Sequence, residues 1–305
     1  MGRIEEIVEG RPFILDLTTH ADLTNYQIEE LQDDTDAFQN WREFLDEYDH
    51  LSVYPAIHAY ADGDLTETTR LARNMARQFD RVAFRSDFRD SDTEKYIQAV
   101  LDGVEDPESL IVSLDCGFVP HSADFEEMAG DALERIEEIQ RLGTLGALSI
   151  ASSGFPKSVL DEPTGNDHEG RFPMREVSLF REVESRSVPS LIYGDYASIH
   201  PYRYDIRGGT WVPRVDVPLD SQYIYQRYRR GDGGYERAGR HMASWDLYES
   251  AGSWGDEQIT SAASGHPNGF SPVFWIAVRL NIHITRKCMG IASESEELDE
   301  EDVFS

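Results

Sequence analysis

The chain has 305 residues, enough for one large α/β domain or two small ones with a sizeable buried core. Its 58 acidic residues against 28 basic ones give a formal charge of -30, and lysine occurs only at Lys95, Lys157 and Lys287. Such a surface suits concentrated salt, where self-repulsion is screened over short distances, so a halophilic cytoplasm is expected. Direct nucleic-acid binding by a broad basic face is disfavoured, because counterion release needs clustered Lys and Arg.

The two cysteines, Cys116 and Cys288, lack metal-ligand spacing and read as reduced thiols, a long-range disulfide also being compatible with the sequence. The start, MGRIEEIVEG, is acidic and has no apolar core of a secretory signal. SPVFWIAV is too short to span a bilayer, so no membrane association is expected.

From residue 12 a unit recurs six times: an apolar run, an abrupt polar end, then a helix-period segment. The runs are PFILDL (12–17), LSVYPAIH (51–58), RVAFRSDF (81–88), SLIVSLDCG (109–117), GALSIASSGFP (146–156) and PSLIYGDY (189–196). Near-continuous apolar runs predict parallel strands covered on both faces. Between them, Leu65, Leu71, Ala72, Met75 and Phe79 mark one amphipathic helix, and Tyr96, Ile97, Val100 and Leu101 a second. Residues 124–142 form the clearest, with Phe125, Met128, Ala132, Leu133, Ile136, Ile139 and Leu142 recurring at three and four and acids on the other face.

These βα units predict an α/β fold, either an open doubly wound sheet or a closed TIM-type (β/α) barrel. Polar residues at many strand ends, without a Gly-rich phosphate loop, favour the barrel rim, although six strands are two short of eight. After residue 200, WVPRVDVP and QYIYQRYRR alternate as a β-hairpin, and GGYERAGRHMASW reads as a helix. The segment SPVFWIAVRLNIHIT reads as a helix or a strand. The expected organisation is an incomplete barrel over 1–202, a hairpin-plus-helix extension over 203–291, and an acidic disordered tail over 292–305.

The order of FILDL, Val53 to Ile57, the Arg of AFR, SLD, S-S-G-F-P at 152–156, Y-G-D-Y at 193–196, S-W-G-D at 253–256 and N-I-H-I at 281–284 resembles the phage-type Beta protein family. The resemblance implies a (β/α) barrel followed by a small hairpin-and-helix extension. It also implies two strands before FILDL that this chain lacks, so that either the start is truncated or a second copy or a partner completes the barrel. The family's closing Asn-His-His is here Asn281-Ile282-His283, and where relatives tend to carry Arg-Tyr-Thr the hairpin reads Asp216-Val217-Pro218. The resemblance supplies no reaction.

Asp16, Asp115 and Asp195 each follow a strand and would meet at one rim, where they could hold a hard cation such as Mg²⁺ or share a proton with a raised pKa. Each could equally cap the helix that follows. Arg85 could clamp a phosphate or carboxylate, or pair with a strand-end Asp. Ser153, in a Ser-Ser-Gly turn, reads as part of an anion nest rather than a nucleophile elbow. His283 is a candidate general acid or base, with Asn281 nearby, or a core histidine. Tyr196, Trp254 and Asp256 are candidate ligand contacts, the last two packing residues in the alternative.

The function expected from these residues is binding or hydrolysis of a phosphate-containing small molecule or nucleotide at the strand ends. The alternative is a non-enzymatic interaction protein of a virus or mobile element that uses the barrel as a scaffold. Asp16, Asp115, Asp195 and His283 would be catalytic, and Arg85, Ser153, Tyr196, Trp254, Asp256 and Asn281 would bind substrate. The sequence identifies neither substrate, partner nor metal.

Overall fold

The computed structural model describes residues 2–121, 125–163, 167–187, 190–202 and 211–301. The chain divides into two compact units, the first made of Met1–Gly117, Asp124–Ala151 and Phe180–Gly194, the second of Phe118–Ala123, Ser152–Leu179 and Asp195–Ser305. The boundary expected at 202 adjoins residues 203–210, which lie outside the described residues.

All six predicted apolar runs form strands. They are β1 (Phe13–Leu15), β2 (Val53–Pro55), β3 (Val82–Asp87), β4 (Leu110–Phe118), β5 (Ala147–Ser153) and, after β6 (Glu169–Pro173) of another sheet, β7 (Leu191–Asp195). β1 pairs with β2 in parallel, and β3 with β4 in parallel. The larger sheet has the order β3-β4-β5-β7, and a parallel bridge from Ala56 to Ala83 links the end of β2 to β3.

This sequential order is the one a barrel has, yet no closed barrel forms among the described residues. Closure needs every strand paired on both sides with a consistent stagger; β1 and β7 each have one strand neighbour. The observed class is mixed α/β with a parallel sheet.

The first unit's helices are α1 (Gly2–Val8), α2 (Tyr26–Leu31), α3 (Thr35–Asp46), α4 (Leu65–Gln78), α5 (Thr93–Leu101) and α6 (Phe125–Leu142). The centres of the predicted stripes are buried, Leu71, Ala72 and Met75 on α4 and Met128, Ala132, Ile136 and Ile139 on α6, while Leu65, Phe79, Phe125, Leu133 and Leu142 are only partly so. At the start of α3, Asp36, Ala37 and Phe38 adopt left-handed backbone conformations with φ of 48°, 57° and 54°. Each costs about 1–2 kcal/mol in an L-residue. Arg42 donates to the carbonyls of Asp36 and Ala37, the Ala37 amide donates to Glu67, and Arg70 bridges Glu67 and Asp36. The turn so held sets Phe38 against the rings of His58 and Tyr60.

Glycines mark tight approaches in this unit. A Cβ on Gly146 would fall 1.9 Å from the Glu108 carbonyl oxygen, while one on Gly130, within α6, would meet nothing within 4 Å. Gly146→Ala should therefore destabilise by about 1–3 kcal/mol or more, as overpacking against backbone does. Gly130→Ala should stabilise by roughly 0.5–1 kcal/mol through helix propensity. Thermal unfolding of the two variants checks the opposite signs, and equal shifts would contradict the close β4–β5 approach.

The second unit contains an antiparallel sheet of order β6-β9-β8, in which β8 (Arg214–Pro218) and β9 (Gln222–Arg227) are the predicted hairpin. β6 was not expected from the sequence; Gly170 on it leaves room for the ring of Tyr225 on β9. The helices assigned here by position are α7 (Arg175–Ser187), which continues into the first unit, α8 (Gly234–Ala243), α9 (Trp254–Ala263) and α10 (Pro272–Glu301). Val215, Val217, Ile224, Tyr235, Met242, Ile259, Trp275 and Val278 form this unit's core.

The segment read as helix or strand is thus the helix α10. It takes in most of the acidic run for which disorder was expected, and residues 302–305 lie outside the described residues. Cys116 is buried and Cys288 exposed, both as free thiols. Among the described residues no helix is long and apolar enough to cross a membrane.

Candidate functional site

In the first unit, three of the predicted residues meet. Arg85 on β3 donates from Nε to Asp16 Oδ2 at 2.6 Å and from one terminal nitrogen to Asp115 Oδ2 at 3.2 Å. Its other terminal nitrogen reaches the Leu17 carbonyl at 3.4 Å. The alternation of β3 and β4 explains the meeting: Arg85 and Asp115 point to the same side of neighbouring strands, two register positions apart. Asp16 also accepts the Leu17 amide. The guanidinium is a third exposed and both carboxylates are less so, making this a partly buried triad rather than a loose surface pair.

Behind Asp16 stands His58, a residue the sequence reading placed only as a strand end. Its Nδ1 is 3.9 Å from Asp16 Oδ1, and its Nε2 is buried without a hydrogen-bond partner among the described residues. Burial pushes the imidazole down to about 4, and Arg85 adds to this while Asp16 opposes it. At neutral pH His58 is uncharged. Burial likewise raises the phenol of Tyr60, stacked parallel to His58.

In the second unit, Asp195 at the end of β7 receives His283 from α10: Nε2 lies 2.6 Å from Oδ2. The imidazole is 2 % exposed and the carboxylate 11 %. His283 Nδ1 is buried and has no hydrogen-bond partner among the described residues. Because α10 is a helix, Asn281 and His283 diverge; Asn281 instead accepts the Gly255 amide at 2.7 Å. Asp195 Oδ1 accepts the Ala197 amide at 2.7 Å. The chain then passes through two left-handed residues, Ala197 and Ser198. Consecutive non-glycine residues in that region are held only where surroundings dictate it.

The Ser-Ser-Gly turn has an internal anion rather than an open nest. The Gly154 amide donates to Glu176 Oε2 at 2.7 Å, and a Cβ on Gly154 would stand 2.6 Å from that oxygen. Tyr223 on β9 donates its hydroxyl to Glu176 Oε1. Ser153 donates to the Ile199 carbonyl at 2.7 Å and accepts the Phe155 amide at 3.1 Å. Glu176 was not singled out in the sequence; the signal that could have found it is an acid in the first turn of a helix close after the Ser-Ser-Gly-Phe-Pro turn.

Tyr196 is partly buried beside Asp195. Trp254 is exposed and packs its ring on Phe274. Asp256 forms a capping box with Ser253 and also accepts from Tyr248 and Ala251, so its acceptors are committed to starting α9. Among the described residues no group of three or more His, Cys, Asp or Glu side chains is arranged to hold a metal ion.

These features define a mixed α/β protein carrying an arginine–carboxylate triad in one unit and a partly buried aspartate–histidine pair in the other. Residues 1–288 match the family model described as Beta protein, and the chain belongs to that family. It is 29% identical over 289 residues to Protein beta of Enterobacteria phage P4, which covers 92% of this chain and 78% of the phage protein. No solved structure matches the chain.

Proposed function

We propose that this Beta-family chain performs hydrolytic acid–base chemistry on a small molecule, with Asp195–His283 as the proton-transfer pair. The observation that carries the reading is the 2.6 Å contact between a buried imidazole and a largely shielded carboxylate 88 residues apart in the chain. With Asp195 accepting from Nε2–H, the imidazole is fixed in one tautomer and Nδ1 keeps the lone pair that a general base uses; that atom is buried, so a substrate or water must displace the packing over it to reach it. Arg85 supports a separate part of the reading, binding of a phosphate-containing small molecule or nucleotide in the first unit. An oxyanion there would replace Asp16 or Asp115 on the guanidinium.

The two parts are tested apart. Turnover of a panel of phosphate monoesters, diesters and nucleotides should fall by about 10²- to 10⁴-fold in His283→Asn, the usual contribution of a general base. Equal rates in both proteins, or none in the wild type, would remove the hydrolytic reading. Calorimetric binding of the same compounds should be lost in Arg85→Met and kept in His283→Asn.

A second reading, a non-enzymatic interaction protein, draws on exposed apolar side chains of the second unit. Trp254, Phe270 and Val273 are 44 %, 66 % and 74 % exposed, the sort of surface that marks interaction sites when contiguous. The sequential strand order also fits a barrel completed by strands of a further copy or partner.

A further inference from the structure

We infer that the outer face of α10 pairs with the same face of a second copy of this chain, the two helices running antiparallel. This gives the interaction reading above a partner, and it does not depend on the hydrolytic one.

α10 is apolar on two opposite sides. Trp275, Val278 and Ile282 belong to the core of the second unit. The other side carries Val273, Ala277, Leu280, Ile284 and Cys288, of which all but the partly buried Leu280 are exposed, Ile284 by 53 %. A helix with one apolar stripe is satisfied by one core, whereas a helix apolar all round is one that is covered all round. Trp254, exposed at the start of α9 with its ring on Phe274, widens the stripe and adds a residue type that anchors interfaces.

The spacing selects a helix as the occupant. Val273, Ala277, Leu280, Ile284, Lys287 and Ile291 follow one another at steps of four, three, four, three and four, the repeat by which two α-helices interlock along a seam. A second α10 brings the same steps.

Charge selects the copy and its direction. Residues 258–293 contain no Asp or Glu, the longest such run in a chain of 58 acids and formal charge -30. Copies of so acidic a chain repel one another, least where their acid-free faces meet. A two-fold pair presents the same patch from both copies, so the acid-free face meets itself. Acids resume at 294, 296, 297, 299, 300 and 301, in the last turns of α10. Parallel helices would set these two runs side by side within a Debye length of about 8 Å, and antiparallel helices set each beside the acid-free half of the other.

The 30 residues of α10 give a seam about 45 Å long. With a helix width of about 10–12 Å this covers roughly 500 Å² per copy, or about 1,000 Å² in all, the lower end for a specific interface. The pair should therefore dissociate on dilution.

Sedimentation of the full chain over a concentration series should show the mass rising from one chain to two. Ile284→Glu and Val273→Glu put a charge into the seam at positions already exposed in the single chain. Each should hold the mass at one chain with an unchanged circular dichroism spectrum. Direction is read from spin labels on Ile276→Cys in a Cys288→Ser background, the remaining thiol of Cys116 being buried. Antiparallel pairing places the labels about 30 Å apart, roughly ten residues either side of the helix midpoint, and parallel pairing within about 10–15 Å.

One chain at every concentration in the wild type, a dimer that survives both glutamates, or the short label distance overturns the inference. A wild-type monomer would still leave the interaction reading to a different protein and the turnover panel untouched, so the failures are separate results.

Discussion

Replacing Asp216 by Asn should lower the free energy of unfolding by about 3–5 kcal/mol, the usual result of stripping a buried charge of its partner. Asp216 Oδ2 lies 2.8 Å from Arg279, and Oδ1 lies 2.6 Å from Arg214 Nε. The Arg279 guanidinium is 4 % exposed and stacks over the Phe155 ring at 3.8 Å. Burial pulls its pKa down, and Asp216 is what opposes this. In the variant an arginine that cannot usefully shed its proton remains in the interior facing a neutral amide.

Urea denaturation should show an earlier midpoint at unchanged slope. The double variant Asp216→Asn/Arg279→Met should recover much of the loss, because the orphaned charge is gone and the stem's packing on Phe155 is kept. A loss below about 1 kcal/mol in the single variant would show that water reaches this pair.

The second large effect is a dependence on pH carried by His58. Unfolded, its imidazole titrates near 6.5; folded, near 4. Between these values the unfolded chain takes up a proton that the native chain refuses, so stability falls as pH drops through this window. The shift corresponds to about 3 kcal/mol when the window is fully crossed.

Many carboxylates also titrate there, so the quantity to compare is the loss between pH 7 and pH 4.5 in wild type and in His58→Leu. The wild type should lose roughly 2–3 kcal/mol more than the variant. Parallel losses would mean that His58 is protonated in the native state, with Asp16 outweighing burial.

The βα framework was legible because buried parallel strands and amphipathic helices write their periods into the chain. PFILDL and residues 124–142 need only local pattern to be read. β6 escaped because EGRFP alternates weakly and gains its identity from β9, more than fifty residues away.

The site was half legible. Asp16, Arg85 and Asp115 follow from strand alternation, whereas the partner of Asp195 depends on the hand of α10, which β-branched residues made ambiguous. Asp256 was read as a ligand contact or a packing residue, and its place in a capping box was not read, since a capping box and a binding acid carry the same residues. His58 and Glu176 owe their character to desolvation, which one-dimensional patterns do not display.

The interleaved make-up of the two units bears on synthesis. The first unit's strands pair in chain order, so its early βα layers can dock as they leave the ribosome, where domains form from the N-terminus at about 5–20 residues per second. The second unit gathers three separate segments, and His283 arrives 88 residues after Asp195. Until α10 has emerged, Asp195 lacks its imidazole, and a nascent chain would carry the early βα layers with the Asp195–His283 contact still unmade.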